Sequence, residues 1–133
     1  MKLKILTEKT DNNLINSNID IKDLIQICKD KQIKTENIFN ITTAKLVDPK
    51  EWFERATKGT SESYKKKKFQ RVLLNDKNDF YYKALYDFAT GKPVNKIEPA
   101  VEWTNGVLDG AHRAVLCMLL GIKLPVIQKD SRD

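Results

Sequence analysis

The stretch Gly106-Val107-Leu108-Asp109-Gly110-Ala111-His112-Arg113-Ala114, running on into Val115-Leu116-Cys117-Met118-Leu119-Leu120-Gly121, constrains the fold more than any other part of the chain. It reads as a short buried strand at Val107 and Leu108, a sharp turn at Asp109-Gly110, and an amphipathic helix that Gly121 ends. Asp109 is suited to accept hydrogen bonds from the first free N–H groups of that helix, and Gly110 lets the backbone come close to a ligand. A strand feeding a glycine turn and a helix N-terminus makes an anion site. Unpaired N–H groups point outward, the helix dipole favours negative charge, and Arg113 adds a bidentate phosphate fork. The plainer reading of the same residues is that Asp109 only caps, Gly110 only turns, and His112 and Arg113 are the polar face of a helix.

The chain has 133 residues, enough for one core but not two, so a single domain over 1–133 is expected. A formal charge of +6 and a pI near 9.3 favour an anionic partner such as a nucleotide, a nucleic acid or a phosphorylated metabolite. Richness in Lys, Asn and Ile also fits a genome of skewed base composition, so the charge alone decides little. No run of about 18 apolar residues exists, so no membrane partner is expected. The start, Met1 to Glu8, lacks the apolar core of a secretory signal, and the expected compartment is the cytoplasm. Cys28 and Cys117 sit among apolar residues at helical spacing and read as buried, reduced thiols. One histidine and no clustered cysteines argue against a structural zinc site, and no metal ligand is assigned.

Lys2-Leu3-Lys4-Ile5-Leu6 alternates like an edge strand, and Thr10 to Asn18 reads as a polar loop. Asp20 can cap a helix with Ile21, Leu24, Ile25 and Cys28 on one face, ending near Lys31. Asn37 to Thr42 reads as β-rich. Asp48-Pro49-Lys50-Glu51 is a strong helix start, with Asp as cap, Pro at the first position and Glu completing a capping box. Trp52, Phe53 and Ala56 give that helix its buried face, and Gly59 should stop it. The basic run Lys65-Lys66-Lys67-Lys68, interrupted by Tyr64 and Phe69 and extended by Arg71, is either a phosphate-tracking patch for DNA or RNA or a solvated surface segment. Asp76 or Asn78 opens a further helix whose Phe80, Tyr81, Ala84, Leu85 and Phe88 recur at core spacing, with Gly91 and Pro93 closing it. Pro99 to Trp103 and Lys123 to Gln128 read as strands, and Asn105-Gly106 is a hairpin signal.

Leu108-Asp109-Gly110-Ala111-His112-Arg113, followed by Ala114, by Leu120-Gly121 and by Leu124-Pro125-Val126-Ile127, resembles the ParB/sulfiredoxin superfamily. The usual pattern there is a strand, D-G-x-H-R, a helix ending in L-G, and a last strand with proline-valine. The resemblance covers about Glu98 to Gln128 and is thin before that. It implies an α+β fold, a small mixed β-sheet packed by helices near Trp52, Phe80 and Val115, with the Asp109–Arg113 turn at its open end. It divides the chain into an N-terminal extension, 1–37, and a family-like part, 38–128. In that family the equivalent turn binds the phosphates of a nucleotide, or DNA-related ligands in some branches. Members include chromosome-partition CTP switches, sulfiredoxins, free-serine kinases and nuclease-like proteins.

The resemblance carries over to Asp109, Gly110, His112 and Arg113. Free-serine kinases have a catalytic glutamate in a P-x-E arrangement that Pro49-Lys50-Glu51 resembles, which makes Glu51 a candidate general base, although capping is sufficient to explain it. Sulfiredoxins place their reactive cysteine immediately before the His-Arg pair, where this chain has Ala111, so sulfinic-acid reduction is disfavoured. The partition proteins carry a G-E-R-R turn and a downstream helix-turn-helix, and here the sequence ends about one strand after the motif. Three functions stay open. One is nucleotide-dependent phosphoryl transfer or hydrolysis. In it, Gly110, Ala111, His112 and Arg113 hold a nucleotide di- or triphosphate with Mg²⁺, and Asp109, Glu51 or His112 act catalytically. Another is a nucleic-acid-binding or nuclease-like protein that uses Lys65 to Lys68 and Arg71. The third is a non-catalytic module that binds a protein partner through the N-terminal helix.

Overall fold

A computed structural model describes residues 19–74 and 80–131, and over these the chain forms six helices and one four-stranded mixed sheet. In order they are α1 (Ile21–Asp30), α2 (Thr35–Ile38), β1 (Lys45–Val47), α3 (Pro49–Ala56), α4 (Glu62–Leu73), α5 (Phe80–Ala89), β2 (Ala100–Trp103), β3 (Leu108–Asp109), α6 (Ala111–Leu120) and β4 (Leu124–Lys129). The expected α+β class is the one observed. The expected strand at Lys2–Leu6, the loop to Asn18 and the cap at Asp76 or Asn78 lie outside the described residues.

Side-chain oxygens start three of the helices by taking up free backbone donors. Asp20 accepts from the Lys22 N–H at 2.8 Å, Asp48 from the Lys50 N–H at 3.2 Å, and Ser61 from the Tyr64 N–H at 3.1 Å. The expected capping box at α3 is only half made: Asp48 caps, while Glu51 is exposed and has no hydrogen-bond partner among the described residues. Asn37 to Thr42 is not β-rich. Asn37 accepts from the Lys34 N–H at 2.7 Å and the Thr35 hydroxyl donates to the Lys123 carbonyl at 2.8 Å, which fixes a one-turn helix in α2. These local bonds outweigh β propensity, and only Phe39 bridges to Ile97.

The sheet runs β1-β4-β2-β3, with β4 parallel to β2 and antiparallel to β1, and β3 antiparallel to β2. Strand alternation puts Val47, Leu124, Val126, Ala100, Glu102 and Leu108 on one face and Leu46, Ile127, Val101 and Asp109 on the other. Helices α3 and α6 lie on the first face. The expected amphipathic character of α6 is not observed, because Ala114, Val115, Leu116 and Cys117 are all 0% exposed. Four successive residues cover more than a full turn, so α6 is buried all round, against α3, α4, α1 and the sheet.

Helix α1 belongs to the same core: Ile21, Leu24, Ile25, Ile27 and Cys28 are buried, and it packs on α5 and α6. Its apolar face is therefore used inside the molecule. On α5 the buried side chains are Tyr82, Ala84, Leu85, Asp87 and Ala89, whereas Phe80 is exposed. The Tyr82 hydroxyl donates to the Ile19 carbonyl at 2.7 Å, and Lys83 follows the helix to the buried Asp87 carboxylate at 3.1 Å.

Candidate functional site

The site begins at the β2–β3 hairpin. The Gly106 N–H donates to the Trp103 carbonyl at 2.9 Å, and the Trp103 N–H donates to the Val107 carbonyl at 2.9 Å. Gly106, with φ +92°, supplies the left-handed residue of this three-residue loop, so the expected hairpin is present. Val107, expected to be buried, is exposed, and the strand proper is Leu108–Asp109. Asp109, expected to cap α6, does not. It stays in β3 opposite Val101, exposed, on the face away from the helices, and Gly110 takes the N-cap position with no side-chain cap.

Gly110 is buried and has φ +135°. A Cβ built there would lie 2.7 Å from the Ala100 Cβ and 3.0 Å from its Cα, with the Trp52 ring at 3.7 Å. The glycine thus lets the start of α6 pack onto β2, so the close approach is of backbone to protein, where a ligand was expected. Trp52 in turn links α3 to the sheet. Its indole N–H donates to Glu102 at 2.8 Å, and the same carboxylate oxygen accepts from Arg55 at 3.0 Å. Burial pushes the Glu102 pKa up, but hydrogen bonds from Trp52, Arg55 and Gln128, with the charge of Lys45, outweigh it and hold the carboxyl below its ordinary range. Sequence reasoning misses Glu102. Its partners are distant in the chain, and nothing in the local pattern of β2 marks it out.

Ala111, His112 and Arg113 form the first turn of α6 and are each half-buried. Because the helix is enclosed further along, these polar residues are not one side of a solvated surface helix. No side-chain cap and no acidic residue occupies the first turn, in contrast to α1, α3 and α4. The Arg113 Nε is buried and has no hydrogen-bond partner among the described residues. The first turn of α6 thus carries backbone N–H groups that no side chain caps, with Arg113 as its third residue.

The other candidates are more scattered. Glu51 is exposed in the first turn of α3, next to the Trp52 that touches the turn. The basic run forms α4, which packs on α6. Lys65 pairs with Glu62 at 3.6 Å and the Lys68 ammonium lies 4.6 Å from the Tyr64 ring centroid. Lys66, Lys67 and Arg71 are exposed, with no carboxylate within 4.0 Å among the described residues. Two of the clefts formed by the described residues flank the helices. One, of about 440 Å³, lies between the start of α3 and the end of α6, lined by Pro49, Lys50, Met118 and Ile122 among others, and the other, of about 510 Å³, lies on α4. Neither is lined by the Asp109–Arg113 turn.

Both thiols are free and buried, as expected. Burial pushes Cys28 up to about 12 despite Lys31 nearby, and burial also pushes Cys117 up, so both side chains are held in the thiol form. Among the described residues no group of three or more His, Cys, Asp and Glu side chains is placed to hold a metal ion. No family model, curated protein or solved structure matches the chain.

Proposed function

We propose that this chain is a ParB/sulfiredoxin-like domain that holds a phosphate or nucleotide at the Asp109–Arg113 turn. The observation that carries the reading is Arg113, whose buried Nε has no hydrogen-bond partner among the described residues at a helix start without a side-chain cap. Leaving a buried donor unsatisfied costs about 1–3 kcal/mol, more for a charged group, and an oxyanion that drew the guanidinium out to the helix start would recover it. The helix N–H groups of Ala111 to Arg113 and the Arg113 guanidinium bind the phosphate, with His112 as a second donor.

In the enzymatic form of this reading, Glu51 takes a proton from the substrate hydroxyl. It is suited to that by being exposed and free of hydrogen bonds among the described residues. Nucleotide-bound Mg²⁺ needs only one or two protein carboxylates, and Asp109, next to the turn in sequence but on the face of β3 away from the helices, would have to reach around the sheet edge to hold it. When bound, the ion supplies neutralisation of phosphate charge.

A thermal-shift screen of ATP, ADP, CTP, GTP and inorganic phosphate, each with and without Mg²⁺, tests this on wild type and Arg113→Ala. A shift in wild type that disappears in the variant is expected. Equal shifts in both proteins, or none with any ligand, would overturn the reading. Glu51→Gln is expected to keep the shift and stop turnover.

A second reading has its own observation: Lys66, Lys67 and Arg71 lie exposed and unneutralised by described carboxylates on α4, as a nucleic-acid backbone site requires. Replacing all three with Ala would weaken binding and flatten its salt dependence, while leaving the Arg113-dependent shift intact.

A further inference from the structure

The cleft on α4 is lined by Glu62, Ser63, Lys65, Lys66 and Phe69 and has a volume of about 510 Å³. Its apolar element is Phe69, half-buried and set edge-to-face on the buried Phe53, with ring centroids 5.6 Å apart and planes at 76°. That packing orients the ring where it lines the cleft. Around it stand Ser63, Lys65, Lys66 and Glu62, the last with its side chain 93% exposed and its carboxylate 3.6 Å from the Lys65 ammonium. An aromatic ring, a hydroxyl, two cations and one acceptor match the parts of a nucleotide unit: base, phosphate and the hydrogen-bond donors of base or sugar.

The positive charge does not stop at the cleft. Lys67, Lys68 and Arg71 continue it along and around the same helix, which suits a run of phosphates better than a single one. A duplex keeps its base faces stacked, so a ring such as Phe69 is of use only to an unpaired base. Resting on the nucleic-acid reading of α4, we propose that this helix binds single-stranded nucleic acid. One base stacks on Phe69, its phosphate is held by Ser63, Lys65 and Lys66, and neighbouring phosphates run along Lys67 and Arg71. Glu62 accepts from the amino group of the base or from a sugar hydroxyl.

Fluorescence anisotropy with a short labelled strand, a duplex of the same sequence, and a matching strand with abasic sites tests this across a range of salt. The single strand should bind more tightly than the duplex. Phe69→Leu, which keeps the packing against Phe53 but removes the flat face, should weaken the strand by about fivefold to a hundredfold, the equivalent of one base stack. It should leave the salt slope unchanged. The abasic strand, tested on wild type with no variant involved, should lose a similar factor. Lys66→Glu with Lys67→Glu should instead lower the slope by about 0.7 for each phosphate no longer held.

Strand binding that is insensitive to Phe69→Leu and to abasic sites, or matched by the duplex, would overturn the base stack and leave the backbone reading of α4 standing. A free nucleoside monophosphate that binds as tightly as the strand would replace the proposal with a mononucleotide site. No binding to any nucleic acid would sink both readings together.

Discussion

At Gly110 one methyl group would meet Ala100 head-on, at 2.7 Å, on a backbone with φ +135°. Gly110→Ala therefore combines overpacking with backbone strain, and denaturant unfolding should show a loss of about 2–5 kcal/mol. Adding Ala100→Gly should return part of the packing loss, since the Ala100 Cα would still lie 3.0 Å from the new methyl, and none of the strain. Glu102 makes a second prediction at this scale. Its folded pKa lies below its unfolded value of about 4.3, so its stabilising effect is present above that pH and is lost as pH falls through the folded pKa. Glu102→Gln should cost about 1–3 kcal/mol at neutral pH, chiefly by weakening the buried indole bond, since Arg55 is 54% exposed. The variant should also be less acid-sensitive below about pH 4.3. Gly110 is legible in the sequence as a special position, but the reason is not: Ala100 and Trp52 meet it only through the fold. Glu102 is illegible for the same cause, with its indole partner fifty positions away.

Among the elements, those written in local chemistry are readable. Asp20 and Asp48 cap where a short polar side chain precedes an apolar periodicity, and Gly121, with φ +73°, ends α6 by placing the Ile122 N–H on the Cys117 carbonyl at 3.0 Å. Elements defined by tertiary pairing are not. β1 is three residues long and exists through its register with β4, and α2 is one turn held by Thr35 reaching Lys123. Asp109 lies between the two cases, since a residue that suits a cap is retained by β3. Asp48→Ala should cost about 1 kcal/mol in unfolding free energy. Asp109→Ala, which removes no cap, should stay within about 0.5 kcal/mol. Equal losses would restore Asp109 as the cap of α6.

For the molecule as a whole, α6 is the element against which α1, α3, α4 and the sheet pack, and the candidate site is its half-buried first turn. The first helix is part of this assembly, with Ile21, Leu24, Ile25, Ile27 and Cys28 buried in the shared core. Leu24→Ala on α1 and Leu116→Ala on α6, both 0% exposed in wild type, should each cost about 2–5 kcal/mol within one cooperative unfolding transition. A separate early transition for the α1 variant would contradict a shared core. Among the described residues no helix is long and apolar enough to cross a membrane.

Whether the start of α6 holds an oxyanion, as proposed, is tested by an amide-resolved NMR titration with inorganic phosphate. Saturable shifts are expected to be largest at the N–H groups of Ala111, His112 and Arg113, and absent from that turn in Arg113→Ala. Shifts that saturate only on α4, or that grow linearly everywhere without saturation, would contradict it.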